Sequence, residues 1–100
     1  MMMEIFLNRK KAEENQISVS NCYKILDDYF VGKGIKKINE GIYAGNDDDF
    51  AAFSIAAVRL PKTTWFLKVI DKWYWRAEGD DIEDREDCLK TWNEFVSMKH

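Results

Sequence analysis

The chain has little of the chemistry that most enzymes use. Its only histidine, His100, is the last residue of the sequence, and no glycine-rich phosphate-binding loop is present. Order is poorest at chain ends, so His100 is badly placed to activate a serine or cysteine nucleophile. The Gly-Lys-Gly at residues 32–34 has the spacing of neither common nucleotide-binding fingerprint. The sequence therefore predicts a binding protein and not an enzyme.

Cysteine is also scarce, which bears on metal sites and disulfides. Cys22 and Cys88 stand far apart, with no Cys-x-x-Cys pair and no nearby histidine to complete a zinc site. Each falls on an apolar helical face, so we expect two buried free thiols. The sequence predicts neither a cofactor nor a bound metal.

Long apolar runs are missing as well. No stretch approaches the length of a membrane span. The opening "MMMEIFLNRKK" has only eight residues before its first basic charge, and Glu4 is among them, so it is too short and too acidic for a signal peptide. We expect a cytoplasmic protein without membrane contact.

The residues that are present describe a packed domain. Apolar residues make up 46% of the 100-residue chain and aromatic residues 14%, with one proline and five glycines. This composition and length are typical of one globular domain with its own core, here spanning residues 1–100. Helical patterns occupy three segments: residues 8–15 with Asn8 as N-cap, residues 20–31, and the C-terminal segment from Cys88 to Val96.

The middle of the chain is typical of strands. "EGIYAG" and "FAAFSIAAVRL" predict two strands joined by "NDDD" as an acidic hairpin loop. Residues 65–75 predict a strand with a bulge or short turn near Asp71, although a helix through Phe66, Val69, Ile70 and Trp73 is the alternative. The predicted fold is α+β, a single domain with an antiparallel β-meander of three to four strands, an N-terminal helix pair and a C-terminal helix.

Charge is divided unequally along the chain. Residues 1–39 carry a formal charge of +2 and residues 40–100 carry −5. Because the acidic part would repel phosphate backbones, we expect no direct binding of nucleic acid, whereas a basic protein would be attracted. Residues 78–88, "EGDDIEDREDC", hold seven carboxylates in eleven positions. Capping of the last helix explains two or three of them, and a basic partner is one use for the remainder.

The candidate partner-binding residues combine both acidic segments with two aromatic anchors. A hard cation at "NDDD" is the weaker alternative, because one turn seldom supplies six oxygen ligands. Most aromatic residues are expected in the core, but Tyr74 and Trp75 are candidates for the surface. The predicted set is Asp47, Asp48, Asp49, Tyr74, Trp75, Glu78, Asp80, Asp81, Glu83 and Asp84.

The strand exit "KWYWRAEGDD" followed by the helix "EDCLKTWNEF" in a short α+β chain resembles the small cytosolic immunity proteins of bacterial polymorphic toxin and contact-dependent inhibition systems. The resemblance implies a protein that binds one cognate toxin and blocks its active site or a nearby surface. The acidic segments favour a basic nuclease-type toxin domain, neutralised by tight stoichiometric binding, and we expect a monomer or weak homodimer. The alternative is an acidic phage or mobile-element inhibitor that mimics DNA to block a restriction or CRISPR nuclease. Mimicry needs carboxylates spaced along a line like phosphates, whereas here they form two clusters.

Overall fold

The N-terminal segment forms the central strand of a five-stranded antiparallel sheet in the computed structural model, which describes residues 1–77 and 79–98. This strand, β1 (Met2–Leu7), pairs with β3 (Ile42–Ala44) on one side and with β4 (Ile70–Arg76) on the other. The edge strands are β2 (Lys36–Asn39) and β5 (Glu86–Asp87), which gives the order β2-β3-β1-β4-β5. The sequence did not predict this N-terminal strand. Because β1 lies between β3 and β4, the sheet is not the predicted meander, in which each strand would pair with the next one along the chain.

Three of the described helices were predicted. Helix α1 (Arg9–Glu14) follows Asn8, whose side chain accepts a hydrogen bond from the Lys11 backbone N–H at 2.9 Å. Helix α2 (Val19–Gly32) is capped by Ser18, and α5 (Cys88–Met98) ends the described chain. The structure confirms the predicted positions of these three helices to within a few residues. The first two were predictable because polar N-cap residues mark where a helix begins.

The prediction of a strand for "FAAFSIAAVRL" is wrong, because residues 50–59 form helix α3 (Phe50–Arg59). Alanine is the best helix former, and four of the ten residues are alanine. Phe53 and Ala56 are buried three residues apart, which is helical spacing. The preceding "NDDD" is therefore the start of a helix and not a hairpin loop.

Residues 65–76 combine the two alternatives left open by the sequence. One turn of helix, α4 (Phe66–Val69), leads directly into β4. Phe6 pairs with Lys72 and Leu7 with Ile70, so Asp71 is the extra residue of a bulge and the predicted bulge is confirmed.

The connections run β1-α-β2-β3-α-β4 with these four strands in the order β2-β3-β1-β4, which is the ferredoxin-like split βαβ arrangement, extended by β5 and α5. Buried residues of α2, α3, α4 and α5 pack on one sheet face in a single core. The α+β class and the helix-against-sheet packing were predicted correctly. The sheet side of this core is formed by Met3, Ile5, Tyr43 and Trp73.

A partly buried polar contact fixes α2 against the sheet. The hydroxyl of Tyr43 donates to the Asp27 carboxylate at 2.5 Å, and Lys37 forms an ion pair with the same carboxylate at 2.8 Å. Burial acts to raise the pKa of Asp27, but the hydrogen bonds from Lys37 and Tyr43 outweigh it and lower that pKa. Burial and the bond to Asp27 raise the pKa of Tyr43, so it remains a donor.

Candidate functional site

The register of the sheet brings the two acidic segments to one end of the molecule. Met2 pairs with Ala44 at the end of β3 and with Arg76 at the end of β4. The chain then leaves Ala44 toward Asp47–Asp49 and leaves Arg76 toward residues 80–84. Ala44 and Arg76 are two strand spacings apart, or about 10 Å. We call this end, formed by residues 46–50 and 79–85, the acidic end.

The first segment is one 3₁₀ turn, Asp47–Asp49, in front of α3. Asn46 and Asp49 form a capping box, in which the Asp49 carboxylate accepts the Asn46 backbone N–H at 3.0 Å. A Cβ at Gly45 would lie 2.6 Å from that carboxylate, so glycine permits this close turn. Asp49 therefore has a structural task, while the exposed carboxylates of Asp47 and Asp48 have no partner within residues 1–77 and 79–98.

The second segment does not cap the last helix as predicted. Asp80 accepts the Ala77 backbone N–H at 3.3 Å and closes a turn at Gly79, and a 3₁₀ turn follows at Ile82–Asp84. Helix α5 starts only at Cys88, because a short strand intervenes, and Asp87 caps it by accepting the Lys90 N–H at 3.1 Å.

Three side chains of this segment, Asp81, Glu83 and Asp84, are exposed and make no ion pair or side-chain hydrogen bond with any described residue. Glu78 lies outside the described residues. Together with Asp47 and Asp48, these three give the acidic end five free carboxylates, which form no ion pair or side-chain hydrogen bond with any described residue.

An aromatic pair lies at the same end. Phe50 follows Asp49 directly and is 53% exposed, and its ring centroid is 5.8 Å from that of Trp75. Trp75 is half-buried and also stacks on Phe53 in the core. The structure thus brings Trp75 together with the acidic segments and adds Phe50, which sequence reasoning missed because residues 50–60 were assigned to a strand.

Tyr74 lies on the opposite sheet face from Trp75 and does not join this aromatic pair. The Arg85 guanidinium stacks over the Tyr74 ring at 3.6 Å from its centroid. Arg85 also forms an ion pair with Glu4 at 3.5 Å, and Glu4 is only 8% exposed. Since Arg85 is the last residue of the second acidic segment, these contacts hold the end of that segment against the centre of the sheet.

We expect Arg85→Ala to lower the free energy of unfolding by about 1–3 kcal/mol, because it leaves the largely buried Glu4 carboxylate without a cation. Urea denaturation followed by tryptophan fluorescence measures this. Arg9→Ala is the matched control, since Arg9 is exposed and its guanidinium has no partner in the described chain. Equal stability of both variants would show that the ion pair with Glu4 contributes nothing.

The described residues were also compared with the requirements of a metal site and of a membrane-spanning helix. Their cysteine and carboxylate side chains do not gather in threes at any point that could hold a metal ion. None of their helices has the length and apolarity to cross a membrane. Burial raises the pKa of both Cys22 and Cys88, so neither is an activated thiol.

Comparison of the chain with protein-family models, curated proteins and solved structures finds no match.

Proposed function

We propose that this protein is a stoichiometric inhibitor that captures a basic protein through its acidic end, in the manner of an immunity protein that neutralises a toxin. The observation that supports this proposal is the sheet register, in which one residue, Met2, pairs with the strand ends that lead into both acidic segments. Two segments that are distant in sequence thereby contribute to one surface.

The five free carboxylates suit electrostatic capture. Capping and turn formation account for Asp49 and Asp80. The other five accept no side-chain hydrogen bond and form no ion pair within the described chain, so they repel one another, and an approaching cationic surface relieves that repulsion. A field of one sign at one end of a domain accelerates association and orients the partner.

The aromatic pair of Phe50 and Trp75 supplies apolar contact surface, which the carboxylates lack. Charged rim contacts contribute mainly to the association rate, whereas buried aromatic anchors contribute most of the affinity. Phe50 is exposed beside the half-buried Trp75, so a partner that covers the acidic end also buries apolar surface. The cationic substrate groove of a nuclease-type toxin offers the complementary arrangement of positive charge.

The test is rescue of growth by coexpression. The candidate partner is a basic toxin domain encoded beside the gene for this chain, expressed from a repressible promoter. We expect the intact chain to restore growth and to copurify with the toxin domain in a 1:1 complex. Phe50→Ala, which removes an exposed ring, should weaken rescue, whereas Ile38→Ala, which removes a side chain of similar exposure on β2, should not. Absence of both rescue and copurification would contradict the proposal.

A further inference from the structure

The sheet face opposite the core carries side chains that the acidic end does not use. Buried residues of α2, α3, α4 and α5 pack on the core face, together with Met3 and Trp73. Because side chains alternate between the two faces of a strand, the even-numbered residues at 2–6 and 72–76 lie on the other face. We call it the open face, and its central residues are Met2, Glu4, Phe6, Lys72, Tyr74 and Arg76.

A shallow hollow of about 280 Å³ lies on the open face and offers two surfaces for stacking. Phe6, which is half-buried, lines it, and so do Tyr74 and Arg85. The Arg85 guanidinium stacks on the Tyr74 ring, and the Arg85 side chain remains 29% exposed. Aromatic rings and guanidinium planes both stack on nucleobases. The hollow therefore has the kind of surface that holds an unpaired base.

The cations of the open face are available to a ligand. Lys36 lies on the same face in the edge strand β2, and none of Lys36, Lys72 and Arg76 forms an ion pair within the described chain. Arg85 is paired with Glu4 through one nitrogen, so its other N–H donors remain available. These groups can therefore bind phosphates without breaking an existing ion pair.

Negative charge near the hollow is limited. Asp71 lines it, whereas the Asp87 carboxylate already accepts a backbone N–H at the start of α5. The acidic end lies beyond Met2, and the paired residues Phe6 and Lys72 are four residues further along the strands, or about 13 Å away. This exceeds the Debye length of about 8 Å at physiological salt, so the acidic end is largely screened from the hollow.

We propose that the open face binds single-stranded nucleic acid, with one base on the Phe6 ring, the next on the Arg85 guanidinium, and phosphate beside Lys72. Phe6 and Tyr74 are diagonal neighbours, roughly 7–8 Å apart, which two adjacent nucleotides of an extended strand can span. The expectation of no nucleic-acid binding came from the charge of the chain, whereas the fold places the acidic segments and the free cations on different surfaces. This site holds or fails independently of the proposed capture of a basic protein.

The probe is a fluorescein-labelled oligothymidylate of about ten nucleotides, and fluorescence anisotropy measures its binding. We expect a dissociation constant of roughly 1–100 µM at about 50 mM salt. An abasic strand with the same number of phosphates should bind at least about fivefold more weakly, because it cannot stack. A duplex of the same length should also bind more weakly, because its base faces are covered. No binding, or an abasic strand or duplex that binds as tightly as the single strand, would overturn the proposal.

Charge reversal locates the binding on the open face. Lys36→Glu/Lys72→Glu should weaken binding by roughly tenfold or more at low salt. Lys24→Glu/Lys90→Glu is the matched control, because it changes the net charge equally at exposed positions of α2 and α5, which pack on the core face. Equal loss of affinity in both double variants would mean that only the total charge matters, which overturns the proposal.

Two further variants test the hollow itself. Phe6→Leu keeps an apolar side chain at the half-buried position but removes the ring, and should weaken binding by roughly fivefold. Asp71→Asn removes the carboxylate that lines the hollow and should strengthen binding by about twofold, a gain that loss of folding cannot produce. The proposal is wrong if Phe6→Leu binds as tightly as the unaltered chain or if Asp71→Asn binds no more tightly.

Discussion

Reversing two free carboxylates of the acidic end, in Asp48→Lys/Glu83→Lys, should slow association with the basic partner by roughly tenfold or more at low salt. Each residue lies in a different acidic segment, is exposed, and makes no ion pair or side-chain hydrogen bond with the described chain. Steering by such charges changes association rates by roughly 10–10³ and affects dissociation less. Stopped-flow or surface-plasmon measurements at several salt concentrations separate the two rates.

The matched control is Glu13→Lys/Glu14→Lys. It changes the net charge equally and also replaces exposed carboxylates, but α1 follows Leu7, at the opposite end of β1 from Met2. Its association rate should fall much less. Raising the salt to about 1 M, where the Debye length is roughly 3 Å, should remove the difference between the double variants. Equal rates for both at low salt would refute steering by the acidic end.

Asp49 and Asp80 are unsuitable for this experiment. Their carboxylates accept backbone hydrogen bonds at 3.0 Å and 3.3 Å, so a reversal would disturb the turn as well as the charge. Losing a helix-capping carboxylate typically costs about 1 kcal/mol. Among the described carboxylates of the acidic end, the five free ones change the field with the least effect on the fold.

Replacing Gly41 with alanine is expected to destabilise the protein by more than about 3 kcal/mol. Gly41 has φ +77°, and an added Cβ would overlap the carbonyl oxygen of Ile5 and lie 2.9 Å from a ring carbon of Tyr23. The Gly41 carbonyl also accepts the Ile5 N–H at 2.8 Å. The substituent therefore pushes β1 away from the β2–β3 hairpin, and chemical denaturation measures the loss.

Alanine variants of two other glycines separate the cost of backbone strain from the cost of the steric overlap. Gly34 has φ +81° and open space where a methyl group would be added, so Gly34→Ala introduces backbone strain alone and should cost about 1–2 kcal/mol. Gly32, at the end of α2, has neither a positive φ nor a close neighbour where a methyl group would be added. Gly32→Ala should therefore be neutral or stabilising by about 0.5 kcal/mol. A Gly41→Ala variant no less stable than Gly34→Ala would mean that the hairpin yields without cost.

Local chemistry was sufficient to predict the helices with strong caps and the bulge at Asp71. It failed at β1, where Met3, Glu4 and Ile5 are all buried in succession, so the alternation of polar and apolar residues is missing. Glu4 is buried only because Arg85, more than eighty residues away in sequence, lies over the neighbouring strand. No local pattern reports such a contact.

The candidate site was predicted in composition but not in arrangement. Both acidic segments and Trp75 could be selected by residue type. Their meeting at one end depends on which strands flank β1, and that order follows from tertiary packing. The wrong strand assignment for residues 50–59 also concealed Phe50, whose place beside Trp75 requires a helix that starts at that residue.

The position of β1 has a consequence for when binding becomes possible. Met2 pairs with residues that follow it by more than forty and more than seventy positions, so the sheet closes only after two long loops have been ordered. Until then the two acidic segments belong to separate parts of an open chain. The capture surface is therefore acquired together with the native state, and a partly synthesised or partly unfolded chain should offer no protection.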